Sequence, residues 1–106
     1  MPRTIRVYYS KSCGLKGRNR MSFEWAPITR QSVVLISAAE AYELGLQTSP
    51  QDPHIVFNLG GSDISVTNIS PRDGGVDFIL YSQWNLPLNI VVDISVFDPP
   101  EEVRLL

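Results

Sequence analysis

The fold is decided by two runs, Val76-Asp77-Phe78-Ile79-Leu80-Tyr81 and Ile90-Val91-Val92-Asp93-Ile94-Ser95-Val96-Phe97. Val76, Phe78 and Leu80 fall on one face of an extended chain, with Ile79 and Tyr81 on the other. Ile90, Val92, Ile94 and Val96 repeat that period of two against Asn89, Val91, Asp93 and Ser95. Such alternation is the mark of a strand with one face in a core. Pro71-Arg72-Asp73-Gly74-Gly75 leads into the first run as a turn, and Pro99-Pro100 closes the second.

Working outward, the same period recurs. Ile5, Val7 and Tyr9 alternate with Thr4, Arg6 and Tyr8, which predicts a strand over 3–9. Met21, Phe23 and Trp25 predict another, ending near Pro27. Ser32 to Ile36 is apolar on both faces and suits a central strand. Ile55, Phe57 and Leu59 alternate, and Gly60-Gly61 reads as the turn of a hairpin into Ile64 and Val66. Ile69 is out of phase with Ile64 and Val66, which predicts a bulge near Asn68. Residues 10–20 read as a mobile, basic, Gly-containing loop, and 101–106 as a tail. One short helix is expected near 38–44. Ser37 and Glu40 form a capping box, the alanines favour helix, and Gly45 supplies a C-cap. Seven short strands with turn residues between them predict an all-β, small antiparallel β-sandwich of immunoglobulin-like size. A partly open barrel is the alternative. The whole chain of 106 residues is expected to be a single domain.

Composition narrows the chemistry. One Cys and one His exclude an intrachain disulfide, and a four-ligand Cys/His zinc site cannot be built from one chain. No metal and no cofactor is expected. The longest aliphatic run, Val33 to Ile36, is far short of the ~20 residues that span a bilayer. The start of the chain shows no secretory signal pattern, so a cytoplasmic or virion location is expected. Charge is segregated. The first thirty residues carry seven of the nine bases and a single acid; the rest carries two bases and ten acids. Such halves pair within the fold, pair between subunits, or mark a basic arm.

Catalytic patterns are thin. His54 follows Asp52-Pro53, and no G-x-S-x-G elbow positions a serine for it. Cys13 lies between Lys11 and Lys16, which favours thiolate, but no resolving cysteine follows. Asp73 with Asp77, and Glu101 with Glu102, are paired carboxylates without an apolar setting to split their pKa values. Gly14-Leu15-Lys16-Gly17 is not a P-loop, and Gly60-Gly61 is not a dinucleotide fingerprint. Arg6, Tyr8 and Tyr9 could offer single-stranded nucleic acid a platform. Alternation turns Tyr9 inward and the sequence pI near 5.2 repels phosphate, so nucleic acid is not the expected partner.

Two binding readings remain. The leading one is a non-enzymatic protein–protein or self-assembly module, a homo-oligomer or a piece of a larger particle. Its interface would use Arg3, Arg6, Tyr8, Asp93, Phe97 and Glu101, with the apolar run 88–97 pairing across subunits unless Asp93 faces out as a gatekeeper. The second is a carbohydrate-binding module. Trp84 would stack on a sugar, and Gln83 and Asn85 would supply paired donors and acceptors. Against it stands a Trp84 that closes one end of the core.

Overall fold

The computed structural model describes residues 2–43 and 55–106. The chain is all-β: β1 (Arg3–Tyr9), β2 (Gly17–Glu24), β3 (Val33–Glu43), β4 (Ile55–Phe57), β5 (Ile64–Arg72), β6 (Gly75–Ser82) and β7 (Ile90–Phe97). A single 3-10 turn, Lys11–Cys13, is the only helical element among the described residues. The strands form two antiparallel sheets, ordered β1-β7-β3-β4 and β2-β6-β5. This is the sandwich that the alternation predicts. No helix among the described residues is long and apolar enough to cross a membrane.

The core follows the two deciding runs. Val76, Phe78 and Leu80 point inward from β6, and Ile90, Val92, Ile94 and Val96 from β7. Val34 of β3 and Ile28 of the β2–β3 connection complete it. The β5–β6 hairpin turns at Asp73-Gly74, with Gly74 at φ 86°, where a side chain would be strained. That turn is anchored rather than free: Gly74 N–H donates to the Ile28 carbonyl at 2.7 Å, and the Asp73 carboxylate accepts the Arg30 N–H at 3.0 Å. Next in line, Gly75 leaves no room for a methyl group. A Cβ there would sit 2.7 Å from the Phe23 carbonyl oxygen. Gly75→Ala is expected to cost about 1–3 kcal/mol, read as a lowered urea midpoint with an unchanged m-value.

The helix expected at 38–44 is not formed. Residues 38–43 continue β3, and the remainder of that prediction lies outside the described residues. Two isolated helical turns carry a nucleation cost that alanine propensity does not repay. The extended alternative pairs β3 with β7 from Val33↔Phe97 to Glu40↔Ile90. The capping box is dismantled with it, since Glu40 accepts a 2.8 Å hydrogen bond from the Asn58 amide instead.

Nor does Gly60-Gly61 make a hairpin. Phe57 pairs with Ala41 in one sheet, while Ile64 pairs with Ser82 in the other. Residues 58–63 therefore cross the ~10 Å between the layers. A period of two tells which face is buried, not which strand lies beside it. The predicted bulge is present: the β5–β6 register shifts between Thr67 and Ser70, and Asn68 adopts φ 55°. The loop read over 10–20 is shorter, because β2 begins at Gly17.

β7 is an internal strand. β1 takes one of its edges and β3 the other, so the run 90–97 has no free ladder to offer a second chain. Arg6 forks onto Asp93 with contacts of 2.7 and 2.8 Å, which satisfies the carboxylate across strands. Its guanidinium also stacks over the Phe57 ring at 4.9 Å. Val91 and Ala41, which alternation turns to this outer face, are almost fully buried.

On the opposite sheet, Arg72 hydrogen-bonds the Glu24 carboxylate and donates to Ser22 Oγ at 2.9 Å. Glu24 is held below the ordinary carboxylate range by that Arg72 bond. Asp77 is held low by a hydrogen bond from Ser22, helped by the Arg72 charge. Both groups are more acidic folded than unfolded. Their contribution is present above the unfolded values, near pH 4, and lost as pH falls through the folded ones. Arg72→Met is expected to flatten the acid side of the stability curve, seen by comparing urea midpoints at pH 7 and pH 3. The effect is small because all three groups reach solvent.

Candidate functional site

At one end of the sandwich the β6–β7 connection lies beside the crossing segment 58–63. Gln83 N–H donates to the Asp63 carbonyl at 2.9 Å, and Asp63 N–H returns a longer bond of 3.3 Å to Gln83 Oε1. Trp84 N–H donates to Ser62 Oγ at 3.2 Å. The two loops are thereby laced together, and the backbone beneath Trp84 is fixed.

The Trp84 side chain is not part of the core. Trp84 is 49% exposed. It walls a groove of about 260 Å³ with Glu40, Gly60, Gly61, Ser62 and Leu88. A broader, shallower surface joins it to Gln83 and Asn85. Glu40 reaches the groove from the last part of β3, its carboxylate lying so close to Gly60 that a Cβ there would collide with it. Asn58 holds the other carboxylate oxygen. Among the described residues the Asn85 side chain and the Gln83 amide nitrogen make no hydrogen bond.

The arrangement offers an indole face, an apolar floor at Leu88, one carboxylate, the Asn85 amide and the Gln83 amide nitrogen. Glu40 and Ser62 were not candidates from the sequence. They stand 44 and 22 residues before Trp84 and reach it only because Gly60-Gly61 carries the chain between sheets. The stretch Asn58–Asp63 held the signal, in its paired glycines followed by the short polar Ser62 and Asp63.

The six residues expected at an interface do not form one patch. Arg6, Tyr8, Asp93 and Phe97 lie on the outer face of the four-stranded sheet by register. Arg3 turns the other way and stacks on Trp25 at 5.9 Å. Glu101 sits in the exposed tail 101–106. Of the seven bases in the first thirty residues, Arg6 alone makes an ion pair among the described residues.

The catalytic candidates are not brought together. His54 lies outside the described residues. Cys13 is a free, exposed thiol in the 3-10 turn. Asp73 is bound to a backbone amide and Asp77 to the Arg72 cluster, so the pair is split between two partners. Glu102 pairs with Arg104 at 2.7 Å in the tail. Comparison of the chain with protein-family models, with curated proteins and with solved structures returns no match.

Proposed function

We propose that the protein is a non-enzymatic binding domain that takes a saccharide in the Trp84 groove. One observation carries the reading: a tryptophan about half exposed, on a backbone pinned by the neighbouring loop, with the Gln83 amide nitrogen and the Asn85 amide unengaged on either side. An exposed indole loses solvation when covered and presents a negative π-face. The C–H face of a pyranose is apolar and slightly positive, so it is the natural complement. Gln83, Asn85 and Glu40 then meet ring hydroxyls, which need both donors and acceptors. The groove is smaller than the ~300–1,000 Å³ typical of drug-sized pockets. It suits one sugar ring, with the rest of a chain running over Gln83 and Asn85.

The test is a glycan array probed with the wild type and with Trp84→Ala at matched concentration. Binding to a defined set of glycans that the variant loses, while its melting temperature is unchanged, supports the reading. If Trp84→Ala unfolds, or if array binding is indifferent to Trp84, the reading fails.

Self-assembly is the second reading. An internal β7 removes the free edge that motivated it, yet apolar surface remains. Leu35 is 60% exposed beside Val33 on the outer face of β3, and Val103, Leu105 and Leu106 stand exposed in the tail. Light scattering at low and high salt tests it. A discrete oligomer indifferent to salt that dissociates in Leu35→Asp supports apolar assembly, and a monomer under both conditions removes it.

A further inference from the structure

The outer face of β2 presents Arg18 and Arg20 side by side. Alternation puts them two residues apart on one face, roughly 7 Å from each other. Among the described residues neither donates a hydrogen bond or joins an ion pair. Arg72, at the far end of the same face, is in contrast saturated by Glu24, Ser22 and Asp77. Two adjacent like charges without an ion-pair partner are a local cost that the fold leaves standing.

The surface beside them is concave. Arg18, Arg20, Asn68, Ser70 and Ile79 line a depression of about 320 Å³, with Asp77 at one side. The bulge opens it. Asn68 takes a left-handed conformation and lifts β5 off the β6 ladder between Thr67 and Ser70. The Asn68 amide and the Ser70 hydroxyl have no hydrogen bond among the described residues. Two guanidiniums, an amide and a hydroxyl therefore converge without hydrogen-bond partners over the apolar floor of Ile79. Asp77 attracts Arg20 but forms no ion pair with it, because its carboxylate is held by Ser22 and Arg72, so the two guanidiniums are only partly neutralised.

We propose that this depression is an oxyanion site that binds a sulfate or phosphate group. Planar guanidiniums fork onto such oxygens, the amide and hydroxyl fill the remaining acceptors, and the ion relieves the Arg18–Arg20 repulsion. The site is separate from the Trp84 groove and stands or falls without it. The group is either a free inorganic ion or one carried on a polysaccharide.

The test is an amide and arginine Nε–H NMR titration of the whole chain at constant ionic strength. The probes are sodium sulfate, sodium phosphate, dextran sulfate and unsulfated dextran, with chloride as the balance. Saturable shifts confined to Arg18, Arg20, Asn68 and Ser70 are expected. Saturation by inorganic sulfate or phosphate identifies a free-ion site. Saturation by dextran sulfate alone identifies a sulfate on a polymer. Arg20→Gln should weaken binding about tenfold, Arg18→Gln with Arg20→Gln should abolish it, and Asp77→Asn should tighten it. The same spectra report whether each variant is folded. Shifts that never saturate, that chloride or plain dextran reproduces, or that survive in the double arginine variant overturn the proposal.

Discussion

Phe78→Ala is expected to lower the stability of the domain by about 3–5 kcal/mol, the largest single loss in the chain. Phe78 is the largest of the fully buried side chains among the described residues and lies between the two layers, among residues of β6 and β7. Truncation removes its burial and leaves a void that two paired sheets cannot collapse to fill. A domain of this size holds roughly 5–15 kcal/mol in all, so the variant is expected to be near its unfolding midpoint in mild denaturant. A urea curve that moves by less than a third of that amount would show that the core is not organised around β6.

Trp84→Ala is expected to do the opposite, abolishing saccharide binding while leaving the urea midpoint within about 0.5 kcal/mol of wild type. Its side chain contributes little to the core, and the Ser62 hydrogen bond is to its backbone N–H, which alanine keeps. The two substitutions separate packing from function. One aromatic is enclosed by both sheets and the other is held open at their end. If Trp84→Ala proves as destabilising as Phe78→Ala, Trp84 belongs to the core and the groove has no occupant.

The two deciding runs were legible because both strands bury one face completely, so the period of two survives in the sequence. The bulge at Asn68 was legible for the same reason, as a break in phase. What was not legible depended on long-range choices. Ser37-Ala38-Ala39-Glu40 favours helix locally, and only the waiting edge of β7 makes it a strand. The partner of Ile55–Phe57 is β3, a choice that no local pattern records. Arg18-Asn19-Arg20-Met21 already alternated with Phe23. The preceding Gly17 and the basic residues made it read as loop, which hid the paired arginines of the β2 face.

The site divides in the same way. Gln83-Trp84-Asn85 stood out because an aromatic and two amides fall together between strands. Glu40 and Ser62 did not, because they are remote in sequence and were assigned to a helix cap and a hairpin. The interface residues were chosen from charge and from an apolar strand assumed to have an open edge. With β1 and β3 on either side of β7, that assumption goes, and Arg6 and Asp93 serve each other instead.

The central claim is that Trp84 is the contact surface for a sugar, and its own fluorescence reads it most directly. The chain has two tryptophans, so Trp25→Phe leaves Trp84 as the sole reporter. Without ligand, its emission should be red-shifted and readily quenched by acrylamide. On titration with a saccharide that the array retains, the account predicts a saturable blue shift and protection from quenching. Emission already blue and unquenchable without ligand, or unaltered at saturating saccharide, would contradict it.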